Sequence, residues 1–485
     1  MAIDLSGLLH AIAGRSAVVV GDAMLDVYLR GSTRGLCREA PAPAVTVQAT
    51  ERVPGGAANA AANLAALGGR PALVSVVGDD LAGQQLAEAL RARGVPADGL
   101  HVVPGRDTIV KSRVVVGSHI LLRLDEGTTS GINAMAESAV RRNLADAAGA
   151  DALVISDSGY GTLTPRVLAG VAELRATTAV TVVDAKDPAG YAGLRPTAAT
   201  PNYAESVRLL GLPGLDEDTE RVRQIRERGA ELLDATAADL VVTTLGGAGA
   251  ILFERGRQPF HSRVRVTTDQ EIVGAGDVFA AALALALAAG AEPVMAVELA
   301  TLAAALAAAK PTGTAVGSHG DVRASLRATD KVLAPAEVSG WARVAEAAGR
   351  RIVFTNGCFD LVHEGHVAFL NEAKALGDLL IVGVNDDESV RSLKGPGRPV
   401  VDLAGRMRLL AALSCVDQVV PFSGPTPAPL IEQVRPHVFA KGGDYQAAAL
   451  PEADLLRGLG VEIRILTFVA DRSTTGIIDR VRSLS

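Results

Sequence analysis

Aromatic residues make up only 3% of this 485-residue chain, with a single tryptophan, so stacking platforms for bases or glycans are scarce. The three cysteines, Cys37, Cys358 and Cys415, are odd in number and form no C-x-x-C, which argues against a disulfide framework and a cysteine zinc cluster and fits a reducing cytoplasm. A net charge of −7 gives no general attraction for nucleic acid. The opening MAIDLSGLLHAIAGRS carries an acid at position 4 and makes a poor signal peptide. The most apolar stretch, VFAAALALALAAG from Val278, is broken by Glu292 and Pro293, short of the roughly 20 residues that a membrane span needs. A cytoplasmic protein without membrane or nucleic-acid partners is expected.

What the chain has is alternation. Apolar β-branched runs at 16–22, 71–80, 151–157, 179–186 and 239–246 are separated by alanine-rich helical stretches. Unbroken apolar strands between helices read as parallel strands covered on both faces, an α/β fold. After Lys310 the sequence turns loop-like through PTGTAVGSHGDVRAS, and the alternation restarts with RRIVFTNG at 350–357 and GDLLIVGVN at 377–385. The expected organisation is a first domain over 1–325, a linker over 326–345 and a second, smaller α/β domain over 346–485.

Two stretches carry chemistry. TNGCFDLVHEGH at 355–366 sets His363 and His366 at the start of a helix, directly after a strand. Ligands bind at that sheet edge, and helix N–H groups there favour anions. Two imidazoles can donate to a leaving pyrophosphate; zinc is disfavoured because no third ligand with suitable spacing is visible. VGAGD at 273–277 places Gly274, Ala275 and Gly276 at another helix start, with Asp277 able to take a proton from an attacking hydroxyl.

The C-terminal motif resembles the cytidylyltransferase-like nucleotidyltransferases, whose H-x-G-H contacts the triphosphate. The resemblance implies nucleotide contacts for Asn356, Gly357, Phe359, Arg406 and Lys441, and for Ser473, Thr474 and Thr475 in DRSTTGIIDRV. It implies a mobile phosphate-binding lysine at Lys394 and substrate contact at Arg398. The first half resembles the ribokinase, or PfkB, carbohydrate kinases, carried by VVGDAMLD at 19–26, VPGGAANAAANLAALG at 53–68, TPNYAESVRLLG at 200–211 and VGAGD. By that resemblance Asp22, Gly55, Gly56 and Asn59 hold sugar hydroxyls, and Asn202 and Glu205 lie near the ATP phosphates, Glu205 with Mg²⁺. Glu271, Ile272 and Val273 depart from the family's D-x-T before Gly274, which bears on a monovalent-cation site and on turnover.

Together the halves resemble the bifunctional enzymes that join a heptose 7-phosphate kinase to a heptose 1-phosphate adenylyltransferase. The resemblance implies ATP and Mg²⁺ at both sites and a homodimer formed through the kinase half. Another sugar phosphate, CTP in place of ATP, an impaired kinase half, or a non-catalytic regulator stay open at this point.

Overall fold

The computed structural model describes residues 5–117, 119–263, 273–309, 317–443 and 450–466. It divides into two compact units, Met1–Val322 and Arg323–Ser485.

The first unit is built on a nine-stranded sheet. Its strands are β1 (Ser16–Gly21), β4 (Arg70–Gly78), β5 (Leu100–Val103), β8 (Ala152–Asp157), β9 (Val180–Ala185), β10 (Ala198–Ala199), β11 (Leu240–Thr244), β12 (Ala250–Glu254) and β13 (Phe260–Ser262). They lie in the order β13-β12-β11-β10-β9-β8-β1-β4-β5, and all neighbours are parallel except β11–β12 and β12–β13. Buried Val and Ile on successive positions of β1, β8 and β9 explain the unbroken apolar runs, since helices cover both faces. The helix Ala275–Ala288 is buried along nearly its whole length. Its alanines let it pack closely against the helix Ala57–Ala66 and strands β8 and β9.

A second sheet was not anticipated from the sequence. Strands β2 (Ala23–Leu36), β3 (Pro43–Gly56), β6 (Val110–Val116) and β7 (His119–Glu126) form a four-stranded sheet in the order β3-β2-β6-β7. It starts where β1 ends, so it stands at the carboxyl edge of the large sheet. Its mixed polar and apolar strands follow neither the buried-strand pattern nor a clean alternation. Val47, Ile120, Leu121, Leu122 and Leu124 stay exposed on it.

In the second unit, β14 (Ile352–Gly357), β15 (Leu379–Asn385), β16 (Gln418–Phe422), β17 (Val438–Gly442) and β18 (Glu462–Leu466) form an all-parallel sheet in the order β16-β15-β14-β17-β18. The order reverses between β14 and β17, which opens a crevice at their carboxyl ends. The stretch read as loop after residue 317 is instead a helix, His319–Asp330. Residues 331–345, expected in a linker, pack into the second unit: Lys331 and Val332 join β16, and Val338, Ala342 and Ala345 are core. The polar surface of this segment hid an apolar stripe at helical spacing.

Candidate active sites

In the first unit two helix starts converge at the sheet edge. Asp277 lies in the first turn of Ala275–Ala288, and Asn59 in the first turn of Ala57–Ala66. The Asn59 amide donates to Asp277 Oδ2 at 2.7 Å. Burial, with Asp26 nearby, pushes the Asp277 carboxyl up to about 7, against the opposing pull of Asn59 and Lys111. That is where a general base for neutral pH belongs. Gly274 begins the helix at φ 86°, a conformation that favours glycine, and a Cβ on Gly276 would meet none of the described residues within 4 Å. Backbone N–H groups at such a helix start favour an anion.

Asp22 is not arranged to meet a sugar. Its carboxylate is buried and accepts three backbone N–H groups, from Ser158 (3.1 Å), Tyr160 (2.8 Å) and Thr162 (3.1 Å), so it ties β1 to the loop after β8. The acid that acts on Asp277 is Asp26, four residues on in GDAMLD, to which the sequence reading gave no role. Asp26 Oδ1 accepts from Arg113 of β6 at 2.7 Å, and a Cβ on Gly55 would lie 2.8 Å from its Oδ2. Gly56, at φ 55°, would place a Cβ 2.5 Å from the Asp22 carbonyl oxygen. These glycines serve close backbone packing. Asn59 likewise points to Asp277 rather than standing open to a hydroxyl.

Asn202 and Glu205 cap the helix Tyr203–Leu209 reciprocally: Asn202 N–H donates to Glu205 Oε2, and Glu205 N–H to Asn202 Oδ1, both at 2.9 Å. Glu205 also lines an open cavity of about 420 Å³ with Lys186, Asp187, Pro188, Arg208 and Leu209. Burial, Asp277 and Glu205 push the Asp184 carboxyl up to about 8. Lys111 and Lys186 lie 5.1 and 5.0 Å from the Tyr160 ring centroid. Glu271 and Ile272 lie outside the described residues, and Val273 is half-buried.

In the second unit His363 caps the helix Glu364–Lys374. Its backbone N–H donates to His366 Nδ1 at 3.4 Å, which leaves the proton of a neutral His366 on Nε2. The two rings lie 4.0 Å apart, and Phe359, itself at φ 47°, packs 5.4 Å from His366. Burial and the His363 charge push His366 down to about 4. At the crevice, Lys441 Nζ donates to Asn356 Oδ1 at 2.9 Å, joining β17 to β14, and burial depresses the Lys441 ammonium. Lys394 ends the helix Asp387–Lys394 and is exposed.

Two arginines differ from expectation. The Arg406 guanidinium is fully buried and donates to the carbonyls of Val401, Cys358 and Asn385 and to Asp387, so it clamps loops rather than meeting nucleotide. Arg398 pairs with buried Asp360 at 2.5 Å, and Asp360 also accepts from Val400 N–H at 2.6 Å. Asp360 thus shapes the loop that carries Lys394 and Arg398. Ser473, Thr474 and Thr475 lie outside the described residues.

These sites define a protein of two phosphate-handling α/β units, a carbohydrate kinase type followed by a nucleotidyltransferase type. Residues 15–318 match the pfkB family carbohydrate kinases, and residues 354–479 match the cytidylyltransferase-like family. The first unit's fold is shared with a putative ribokinase from Agrobacterium tumefaciens (TM-score 0.51, 21% identity, 65% of this chain and 98% of that one). It is also shared with phosphofructokinase-2 from Escherichia coli (TM-score 0.53, 21% identity, 64% and 97%). Over both units, the chain is 41% identical across 470 residues to bifunctional protein HldE of Azotobacter vinelandii, covering 96% of this chain and 97% of that protein. It is 40% identical across 494 residues to the same-named protein of Chromohalobacter salexigens, covering 99% of each. The chain belongs to the HldE family of bifunctional kinase–nucleotidyltransferase enzymes. No described helix is long and apolar enough to cross a membrane.

Proposed function

We propose that the first unit transfers the γ-phosphoryl group of ATP to O1 of D-glycero-β-D-manno-heptose 7-phosphate. The second unit then transfers the adenylyl group of ATP to D-glycero-β-D-manno-heptose 1-phosphate, giving ADP-heptose and pyrophosphate. The observation that carries this reading is the pairing, in one chain, of a near-neutral carboxylate at a sugar-kinase helix start with a histidine pair at a nucleotidyltransferase crevice. A separate phosphatase would remove the 7-phosphate between the two steps, and ADP-heptose made in the cytoplasm would supply lipopolysaccharide core.

In the kinase step Asp277 accepts the O1 proton as O1 bonds to the γ-phosphorus and the bridge to ADP breaks. Asp26, held by Arg113, binds sugar hydroxyls, and the helix start at Gly274–Gly276 receives the phosphoryl oxygens. Mg²⁺, when bound, neutralises phosphate charge; Asp184 and Glu205 are the carboxylates that would hold it, in keeping with its use of one or two carboxylates beside substrate phosphates. Lys111 and Lys186 add positive charge around Tyr160.

In the adenylyl step the sugar phosphate is already an anionic nucleophile, so positioning outweighs base strength. His366 Nε2–H and His363 donate to the phosphates as charge passes to pyrophosphate, while Lys441, Asn356 and the loop of Lys394 and Arg398 enclose them. The exposed apolar residues of the four-stranded sheet suit pairing with a second copy, which favours a homodimer.

Mass spectrometry of products tests the reading. Heptose 7-phosphate with ATP and Mg²⁺ is expected to give the 1,7-bisphosphate, and heptose 1-phosphate to give ADP-heptose. Neither product, with turnover of a different sugar phosphate or of CTP, would refute the assignment.

A further inference from the structure

We propose that Asn63 is a positioning residue of the kinase site: its side-chain amide holds Asn59 in the orientation that turns an N–H, and not a carbonyl oxygen, toward Asp277. The inference rests on the reading of the first unit as a sugar kinase.

Asn59 and Asn63 are one helical turn apart on Ala57–Ala66, and both are fully buried. An asparagine amide is nearly symmetric in shape, and a half-turn exchanges its acceptor for its donors. Its sense must come from a neighbour whose role is unambiguous. Here that neighbour is the backbone N–H of Gly317, which donates to Asn63 Oδ1 at 2.7 Å. Residue 317 comes this close because it is glycine: a Cβ there would lie 2.9 Å from Val278 Cγ1.

With its oxygen engaged, Asn63 directs Nδ2 at the Asn59 carbonyl (2.9 Å) and at Asn59 Oδ1 (3.2 Å). Asn59 Oδ1 is then an acceptor, which leaves Asn59 Nδ2 to donate to Asp277 Oδ2 at 2.7 Å. The donors run in one direction, from Gly317 through Asn63 and Asn59 to the carboxylate. Donation to the charged form favours it, whereas a flipped Asn59 would set an oxygen against the carboxylate and favour the protonated acid. A base that holds its proton cannot accept another. The charged groups acting on or beside Asp277 come from other elements: Asp26 on β2, Lys111 on β6 and Asp184 on β9.

The experiment compares wild type with Asn63→Leu and Asn63→Ser, in the full chain, for kinase kcat and sugar-phosphate KM from pH 5.5 to 9. Adenylyl transfer is followed in the same preparations. The acidic limb of kcat is expected to move up by about one pH unit, with kcat at pH 6.5 about tenfold lower, the change one unit in the base's pKa produces below that pKa. KM should stay within about twofold, because Asn63 itself meets no substrate, and adenylyl transfer should be unchanged. If the leucine variant fails to fold, the serine variant, too short to span both partners, is held to the same criterion. An unmoved acidic limb, or a loss that is uniform across pH and follows melting temperature, overturns the proposal. Wild-type protein that phosphorylates no sugar phosphate would instead refute the kinase reading itself and the inference with it.

Discussion

Replacing Arg406 by methionine separates two roles for this residue. The sequence resemblance sets Arg406 on the nucleotide, whereas the structure buries its guanidinium among Val401 O (3.0 Å), Cys358 O (2.6 Å), Asn385 O (2.8 Å) and Asp387 Oδ1 (2.7 Å). Methionine keeps most of the stem and removes every donor. The Asp387 side chain is 36% exposed, so water can replace its partner. The three carbonyls lose theirs, at about 1–3 kcal/mol for each one left unsatisfied. Relief of the guanidinium's own desolvation offsets part of this, leaving a net of about 3–5 kcal/mol, as for removal of one partner of a buried pair. For a unit the size of Arg323–Ser485 this lowers Tm by about 10 °C. The single tryptophan, Trp341, packs against the second unit's core, so its fluorescence reports this transition selectively. Kinase activity should persist at temperatures where Trp341 has already melted out. An Arg406→Met protein whose Trp341 transition is unchanged, with a KM for ATP raised many-fold, would refute the buried-clamp argument.

Further outcomes follow from the same geometry. Asp26→Asn should lower kinase kcat/KM by at least about tenfold, the worth of a hydrogen bond to a charged group, and leave adenylyl transfer untouched. Asp22→Asn should act through stability, because one amide oxygen cannot accept the three N–H groups that the carboxylate holds; if Asp22→Asn melts like wild type with a raised sugar KM, the assignment of the two acids is reversed. NMR titration of the ligand-free protein should find His366 near 4, and His363→Ala should raise it; titration near the ordinary 6.5 would remove the argument for a neutral Nε2–H donor. Asp184 holds its proton to about 8 when folded and releases it near 3.8 when unfolded, so the native state binds more protons between those values and its contribution to stability falls as pH rises through that window. Asp184→Asn should therefore raise the first unit's Tm over wild type more at pH 8.5 than at pH 5, and an equal difference at both would contradict the shift.

The α/β class, the two-part organisation and the chemistry-bearing stretches were legible in the chain, because buried parallel strands, helix starts and phosphate-binding turns are set by residues adjacent in sequence. VGAGD and TNGCFDLVHEGH are local devices of this kind, and Asp277, His363 and His366 stand where that reading put them. The four-stranded sheet was not legible, since its strands carry no clean periodicity and the apolar residues of β7 face outward. Only the tertiary structure separated the two acids of GDAMLD, through what reaches them: backbone N–H groups after β8 for Asp22, the Arg113 side chain from β6 for Asp26, which also acts on Asp277. It also decided that Arg406 is a clamp, a fact that resides in three carbonyls from three separate segments. The link between Asn59 and Asp277 joins residues 218 apart, a hydrogen bond that exists only once two helix starts have been packed side by side.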